Sequence, residues 1–369
     1  MSQPRSKMEK VCHLPLASIS TFNYRTLDLT QIKTHNLTAT KELILSSGVI
    51  STPHILQHSG IGDPTILDLL GITPLVTLPD VGKNLTDHVF VANMWRVKDG
   101  AETFEEEIRN QTLMKELLRE WEEGGERGRG PYAVGPFNQA GWFRVPDESL
   151  FGGIPDPAAG KRTAHFELTI AVCVDLSIHT SQATNLALSE KNRMERHVLR
   201  FRQLGTSWLL GPSLSLLSHV RPPVYLVCIQ LTNDHHDTGG SVHPTSNFPF
   251  HPPSIDPNFL ASPIDLGIMR TAVRQARKFV AGAPNAFKDW VVELADPVLS
   301  SDSEMDEWIR ETAITVSHRV GTSAMSPRGA GWGVVDPDLR VKGVQGLRIV
   351  DAGVLVILFS SFFLVEAGS

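Results

Sequence analysis

The sequence predicts an α/β protein with a second part of mixed α+β character, and three observations carry that expectation. A short apolar strand, Glu42-Leu43-Ile44-Leu45, stops at Ser46-Ser47-Gly48 and hands over to helical sequence. Two long segments, 104–123 and 265–281, repeat apolar residues at helical spacing. A late strand, Leu347-Arg348-Ile349-Val350, ends in Asp351, and open α/β sheets bind ligands at the carboxyl ends of their strands.

Taken in order, residues 1–37 read as irregular and polar, with no clear period. After the first strand, Thr52-Pro53 reads as a helix start, because Thr caps and a first-turn proline has no amide to leave unpaired. That helix ends at Ser59-Gly60-Ile61-Gly62. Asp63-Pro64 repeats the device and Gly71 closes the second helix. Over 104–123, Ile108, Leu113, Leu117 and Trp121 make an apolar stripe, with Glu105 and Arg109 paired on the wet side. Residues 178–230 fit no single element. Ile268, Met269, Ala272, Val273, Ala276, Phe279 and Val280 share one face of 265–281, and 302–312 follows as a helix capped by Ser301 or Ser303. Asp338–Val341 and Leu347–Asp351 read as two strands around a Lys-Gly-Val-Gln-Gly turn.

Composition narrows the function classes. The chain of 369 residues has room for two domains and a large core. Its net charge of −6, with no long basic run, gives no support to a nucleic-acid surface. Cys12, Cys173 and Cys228 are odd in number and far apart, so neither a disulfide framework nor a cysteine metal site is expected. The cluster Asn233-Asp234-His235-His236-Asp237 is better read as a solvated loop, since consecutive residues do not converge on one ion. No metal site is expected. The first twenty residues lack the apolar core of a signal peptide, and localisation stays unassigned. The uncharged run 352–365 is shorter than the roughly 20 residues a spanning helix needs, so no membrane anchor is expected.

Three blocks carry chemistry. The first runs from Gly48-Val49-Ile50-Ser51-Thr52-Pro53-His54 to Ser59-Gly60-Ile61-Gly62. The second is Val81-Gly82-Lys83-Asn84-Leu85-Thr86-Asp87-His88, and the third Ser317-His318-Arg319-Val320-Gly321-Thr322-Ser323-Ala324-Met325. In this order they resemble the glucose–methanol–choline (GMC) family of FAD-dependent oxidoreductases, and most closely its fungal aryl-alcohol oxidases. The resemblance spans most of 39–353. It implies part of a Rossmann-like FAD-binding domain at 1–90, a substrate-binding domain with an antiparallel sheet and helices at 91–315, and a return to the FAD-binding domain at 316–369. The family's C-terminal region would cover about 239–369.

The chemistry the family implies is oxidation of a primary alcohol, aryl or other, at its CH–OH group. A base takes the hydroxyl proton while a hydride passes to FAD. Histidine suits that task because its ordinary pKa leaves it neutral near physiological pH. His318 stands where the family has this base. Ser46, Ser47 and Gly48, at the end of the first strand, would approach the cofactor through their backbone. Asp351 and Ala352 would face it through an amide and a carboxylate. His88 is read as a packed or capping residue. The expected partners are a small-molecule alcohol and O2 as a candidate electron acceptor, and relatives are often secreted.

The chain departs from the family in three ways. No G-x-G-x-x-G is present, so the sequence reads as truncated ahead of its glycine-rich βαβ unit. Beyond Asp351 there is no second His or Asn to orient the alcohol. Residues 178–230 do not follow the family. An enzyme impaired by truncation is therefore the leading expectation, and a non-catalytic relic or binding module keeping the substrate-domain fold is the alternative. A serine hydrolase built on Ser323 and His318 is disfavoured, because Gly321-Thr322-Ser323-Ala324-Met325 fails the G-x-S-x-G elbow at its last position.

Overall fold

A computed structural model describes residues 39–98, 110–124, 130–133, 139–158, 160, 163–170, 239–282, 287 and 291–356, together with the backbone pairing of 9–13, 21–27, 32–38 and 224–231. Strands β1 (Glu9–His13), β2 (Thr21–Leu27) and β3 (Ile32–Thr38) form an antiparallel sheet in the order β1-β2-β3. The irregular reading of 1–37 is thereby corrected. Within Thr21–Leu27, the β-favouring Phe22, Tyr24 and Thr26 alternate with Asn23 and Arg25, which is the period of a strand.

Strand β4 (Leu43–Leu45) leads into helix α1 (Gly48–His58), which starts four residues before the Thr52-Pro53 pair expected to open it. Pro53 lies inside the helix and has no N–H for the Val49 carbonyl one turn back. The Thr322 hydroxyl donates to that carbonyl instead, at 2.6 Å. Thr52 is not a cap either. Its hydroxyl accepts from the Ser47 amide and donates to Asp351 Oδ2 at 2.6 Å. Strand β5 (Ile61–Gly62), helix α2 (Pro64–Leu69) and strand β6 (Val76–Thr77) follow, with β5 and β6 parallel. Asp63 caps α2 by accepting from the Thr65 amide, as the Asp-Pro pair predicts.

The second layer is antiparallel. Strands β7 (Val89–Val97), β8 (Gln139–Phe143), β9 (Phe166–Ile170) and β10 (Val224–Leu231) belong to it. Helix α3 (Gln111–Glu123) is connected between β7 and β8. Asn110 accepts from the Thr112 and Leu113 amides at its start, while 104–109, with the Glu105–Arg109 pair, lies outside the described residues. Strands β11 (Ser241–His243) and β12 (Ser254–Asp256) pair separately. Helix α4 (Pro263–Gly282) precedes strand β13 (Val291–Leu294), helix α5 (Asp302–Thr312) and strand β14 (Ile314–Thr315). The sheet order is β13-β7-β10-β9-β8, with β14 beside β7. Of the face expected on α4, Ile268, Met269, Ala272, Val273, Ala276 and Val280 are buried against this sheet, whereas Phe279 is exposed and meets Phe287 edge-on.

The chain then returns to β4 through strand β15 (Leu347–Ile349), which runs parallel to it with Leu43 opposite Leu347 and Leu45 opposite Ile349. The strand expected at 338–341 is absent: Val341 and Arg340 make isolated bridges, and Leu339 at φ 66° breaks the extended run. Two cores result. One joins Val91, Trp95, Phe166, Met269, Val273 and Ile309; the other joins Leu45, Leu56, Val81, Val335, Leu347 and Ile349. Each buried side chain of this size contributes roughly 1.5–3 kcal/mol. No helix among the described residues is long and apolar enough to cross a membrane.

Candidate active site

The second and third sequence blocks meet where the two layers join. Thr86 and Val320 exchange backbone hydrogen bonds of 3.1 and 2.9 Å, and the Gly82 amide donates to the Thr322 carbonyl. Gly321 makes the approach possible. It takes φ 96°, and a Cβ there would collide with the Asn84 carbonyl oxygen.

Asp87 organises the turn. Its carboxylate is nearly inaccessible, and Oδ1 accepts the His318 amide at 2.9 Å. Oδ2 accepts the Thr315 hydroxyl, with Arg319 Nε at 3.6 Å. The bonds hold Ser317 at φ 67°, a conformation disfavoured for a residue with a Cβ. His88 is buried and places Nδ1 3.1 Å from His318 Nδ1, with the rings T-shaped. Burial, and then the neighbouring His318, push the His88 pKa down to about 3. It is neutral at physiological pH.

On the sheet side, Glu167 of β9 stands opposite Trp142 of β8 and accepts its indole N–H at 3.2 Å. Burial pushes the Glu167 carboxyl up, while Thr169, Trp142 and His318 pull it down. Neither Glu167 nor Trp142 was singled out by sequence. Strand β9 alternates apolar and polar side chains, and its register against β8 appears in no motif.

The Asp351 segment adjoins the same turn. The Ser323 amide donates to the Gly353 carbonyl at 2.9 Å and the Met325 amide to the Val354 carbonyl at 3.0 Å. Asp351 Oδ2 accepts from the Gly48 amide at 3.0 Å and from Thr52, while Oδ1 accepts from the Gly353 amide. The carboxylate thus clamps the start of α1. The amides of Asp351 and Ala352 have no hydrogen-bond partner among the described residues. Ser46 and Ala352 are exposed, and Ser47 and Gly48 half-buried. Ser323, the nucleophile a hydrolase would use, is fully buried. Among the described residues no three His, Cys, Asp or Glu side chains converge to hold a metal, and Asn233–Asp237 lies outside them.

This architecture has known counterparts. Models of the GMC oxidoreductase family match residues 23–90 for its N-terminal part and 236–361 for its C-terminal part, together more than half of the chain. The chain belongs to the GMC oxidoreductases. Pyranose dehydrogenase 3 of Leucoagaricus meleagris is 35% identical over 325 residues, covering 86% of this chain and 46% of that protein. Dehydrogenase eriK of Hericium erinaceus is 30% identical over 334 residues, covering 87% and 47%. A formate oxidase of Aspergillus oryzae RIB40, in a variant examined for its effect on FAD modification, superposes with a TM-score of 0.71 at 25% identity, covering 96% of this chain and 56% of that one. A fungal aryl-alcohol oxidase shares the fold at a TM-score of 0.58 and 24% identity, covering 91% and 54%. The chain spans about half the length of the curated relatives it matches.

GMC oxidoreductases are FAD-dependent, and the residues present suit one edge of that cofactor. Ser323 Oγ is buried without a partner among the described residues, beside Gly353. Gly48, at φ 85°, faces open space, since an added Cβ would meet nothing within 4 Å. Next to it lie the amides of Asp351 and Ala352, which have no hydrogen-bond partner among the described residues. A polar, close-approach surface of this kind fits a flat ring with hydrogen-bonding edges.

Proposed function

We propose that this chain carries the base and one wall of the flavin site of a GMC enzyme that oxidises the CH–OH group of an alcohol. The observation that carries the proposal is the lacing of the His318 turn to the Asp351 turn through Ser323–Gly353 and Met325–Val354. That lacing supports a shared wall for the His318 turn and the strand end at Asp351. In this reading Ser46, Ser47 and Gly48 approach the cofactor through their backbone, and Asp351 and Ala352 hold it through their amides. When bound, FAD supplies the acceptor for the two electrons that leave carbon as hydride. His318 takes the hydroxyl proton, so that the alcohol loses one proton and one hydride and becomes a carbonyl. Asp87 holds the base in place through its backbone, and Glu167 faces it across the site.

The substrate is an alcohol of the sugar or aryl-alcohol type, as the names of the relatives suggest, with O2 a candidate acceptor. Residues 1–90 and 316–369 form the cofactor side and 91–315 the substrate side, an assignment supported by the two separate cores. Titration of the purified chain with FAD tests the reading. A flavin spectrum shifted on binding, and bleached by an added alcohol, is the expected result. A chain that stays colourless in excess FAD would favour a binding module that keeps only the fold.

A further inference from the structure

We propose that His88 is a positioning residue: its Nδ1 lone pair accepts the Nδ1–H of His318, which leaves the His318 Nε2 lone pair to take the substrate proton. The role given to Nε2 rests on the function proposed above; the tautomer itself does not.

The argument begins with the 3.1 Å separation of the two Nδ1 atoms. Two nitrogen lone pairs repel at that distance, so one Nδ1 carries a proton and donates it to the other. If His88 donated, neutral His318 would hold its own proton on Nε2 and would have no lone pair there. If His318 donates, Nε2 is the basic atom. The protonated state decides between them. Once His318 has taken a proton, both of its nitrogens carry hydrogen and its Nδ1 is a donor under any arrangement. His88 must then accept. Being buried, it does not share the charge. Only the arrangement with His318 donating keeps a single bond intact through proton uptake and release, with no ring flip and no buried rearrangement.

Asp87, next to His88 in sequence, fixes the His318 backbone, so one dipeptide sets both the position of the main chain and the orientation of the ring. Among the described residues, the charged groups facing the pair are the Asp87 carboxylate, engaged with Thr315 and Arg319, and the Glu167 carboxylate of β9, and neither replaces the acceptor at His88. A second histidine thus does for the base what a carboxylate does for the histidine of a serine protease, with a neutral acceptor bonded to the ring.

Nitrogen-15 NMR of the chain labelled at histidine tests the proposal at mildly alkaline pH, with no flavin required. The His318 signals are assigned by their loss in His318→Gln. The expected result is a pyrrole-type Nδ1 and a pyridine-type Nε2 for His318. A His318 proton on Nε2 in the unmodified chain overturns the proposal, whatever any variant does. His88→Phe keeps a ring but removes the acceptor, and is expected to move the His318 proton to Nε2. His88→Asn, whose carbonyl replaces Nδ1 as acceptor, is expected to restore it. No change in His88→Phe also overturns the proposal. The predicted tautomer in a chain that neither binds FAD nor oxidises alcohols would defeat the proposed function and leave this inference standing. An active flavoenzyme with the proton on Nε2 would do the reverse.

Discussion

A proline inside a helix leaves a carbonyl without its donor, and here the missing bond is supplied by a threonine 273 residues later in the chain. Local rules alone place Thr52-Pro53 at the start of a helix, and that expectation failed because the repair is tertiary. Thr322→Val keeps the shape and strands the Val49 carbonyl, so it is expected to lower unfolding free energy by about 1–3 kcal/mol in denaturant titrations. Gly321→Ala is a harsher change, combining a left-handed φ with a collision at Asn84, and is expected to abolish flavin uptake. His318→Ala should leave folding intact by circular dichroism and reduce alcohol-dependent flavin reduction by about 10²–10⁴ in rate. The residues of the site were legible unevenly. His318 and Asp351 stand in motifs, but the Asp87–Thr315–His318 net and the Trp142–Glu167 pair exist only once distant strands are in register.

Helix α1 carries an unusual pair of buried imidazoles. His54 Nε2 lies 3.2 Å from the Pro249 carbonyl and His58 Nε2 3.1 Å from the Ser246 carbonyl, with the rings 4.3 Å apart. Burial, then the His58 charge, push the His54 pKa down to about 4; burial also lowers that of His58. The unfolded chain binds a proton at His54 near pH 6.5, while the folded chain resists until about 4. Stability is therefore fully present above that upper value and falls as pH drops through the window. The expected loss from His54 is on the order of a few kcal/mol, read as a falling thermal midpoint. His54→Gln, which can still donate to Pro249, should flatten the slope. At α5 the capping box reads directly from Ser301-Asp302-Ser303-Glu304 and is present with Ser301 as the cap; Ser301→Ala is expected to cost about 1 kcal/mol by chemical denaturation. Helices with caps and stripes were legible because their signals are local. The three strands before residue 39 pair as sequential hairpins, and the alternation in Thr21–Leu27 that marks them was overlooked.

At the scale of the molecule, the two cores differ in how well they are covered. The antiparallel sheet has α4 and α5 packed against it, whereas Ile44 on β4 and Val350, directly after β15, are 51% and 46% exposed. Exposed apolar strand surface is a template for association. Replacing both by Lys is expected to shift the chain toward the monomer in light scattering without changing its circular dichroism. The family blocks and their order were legible in the sequence; the sharing of one small sheet by Leu43–Leu45 and Leu347–Ile349 was not. That sharing bears on biosynthesis. Leu43–Leu45 leaves the ribosome long before its parallel neighbour Leu347–Ile349. Over that interval the nascent chain holds β4 in waiting, and a chaperone that shields short apolar strands would act on that segment.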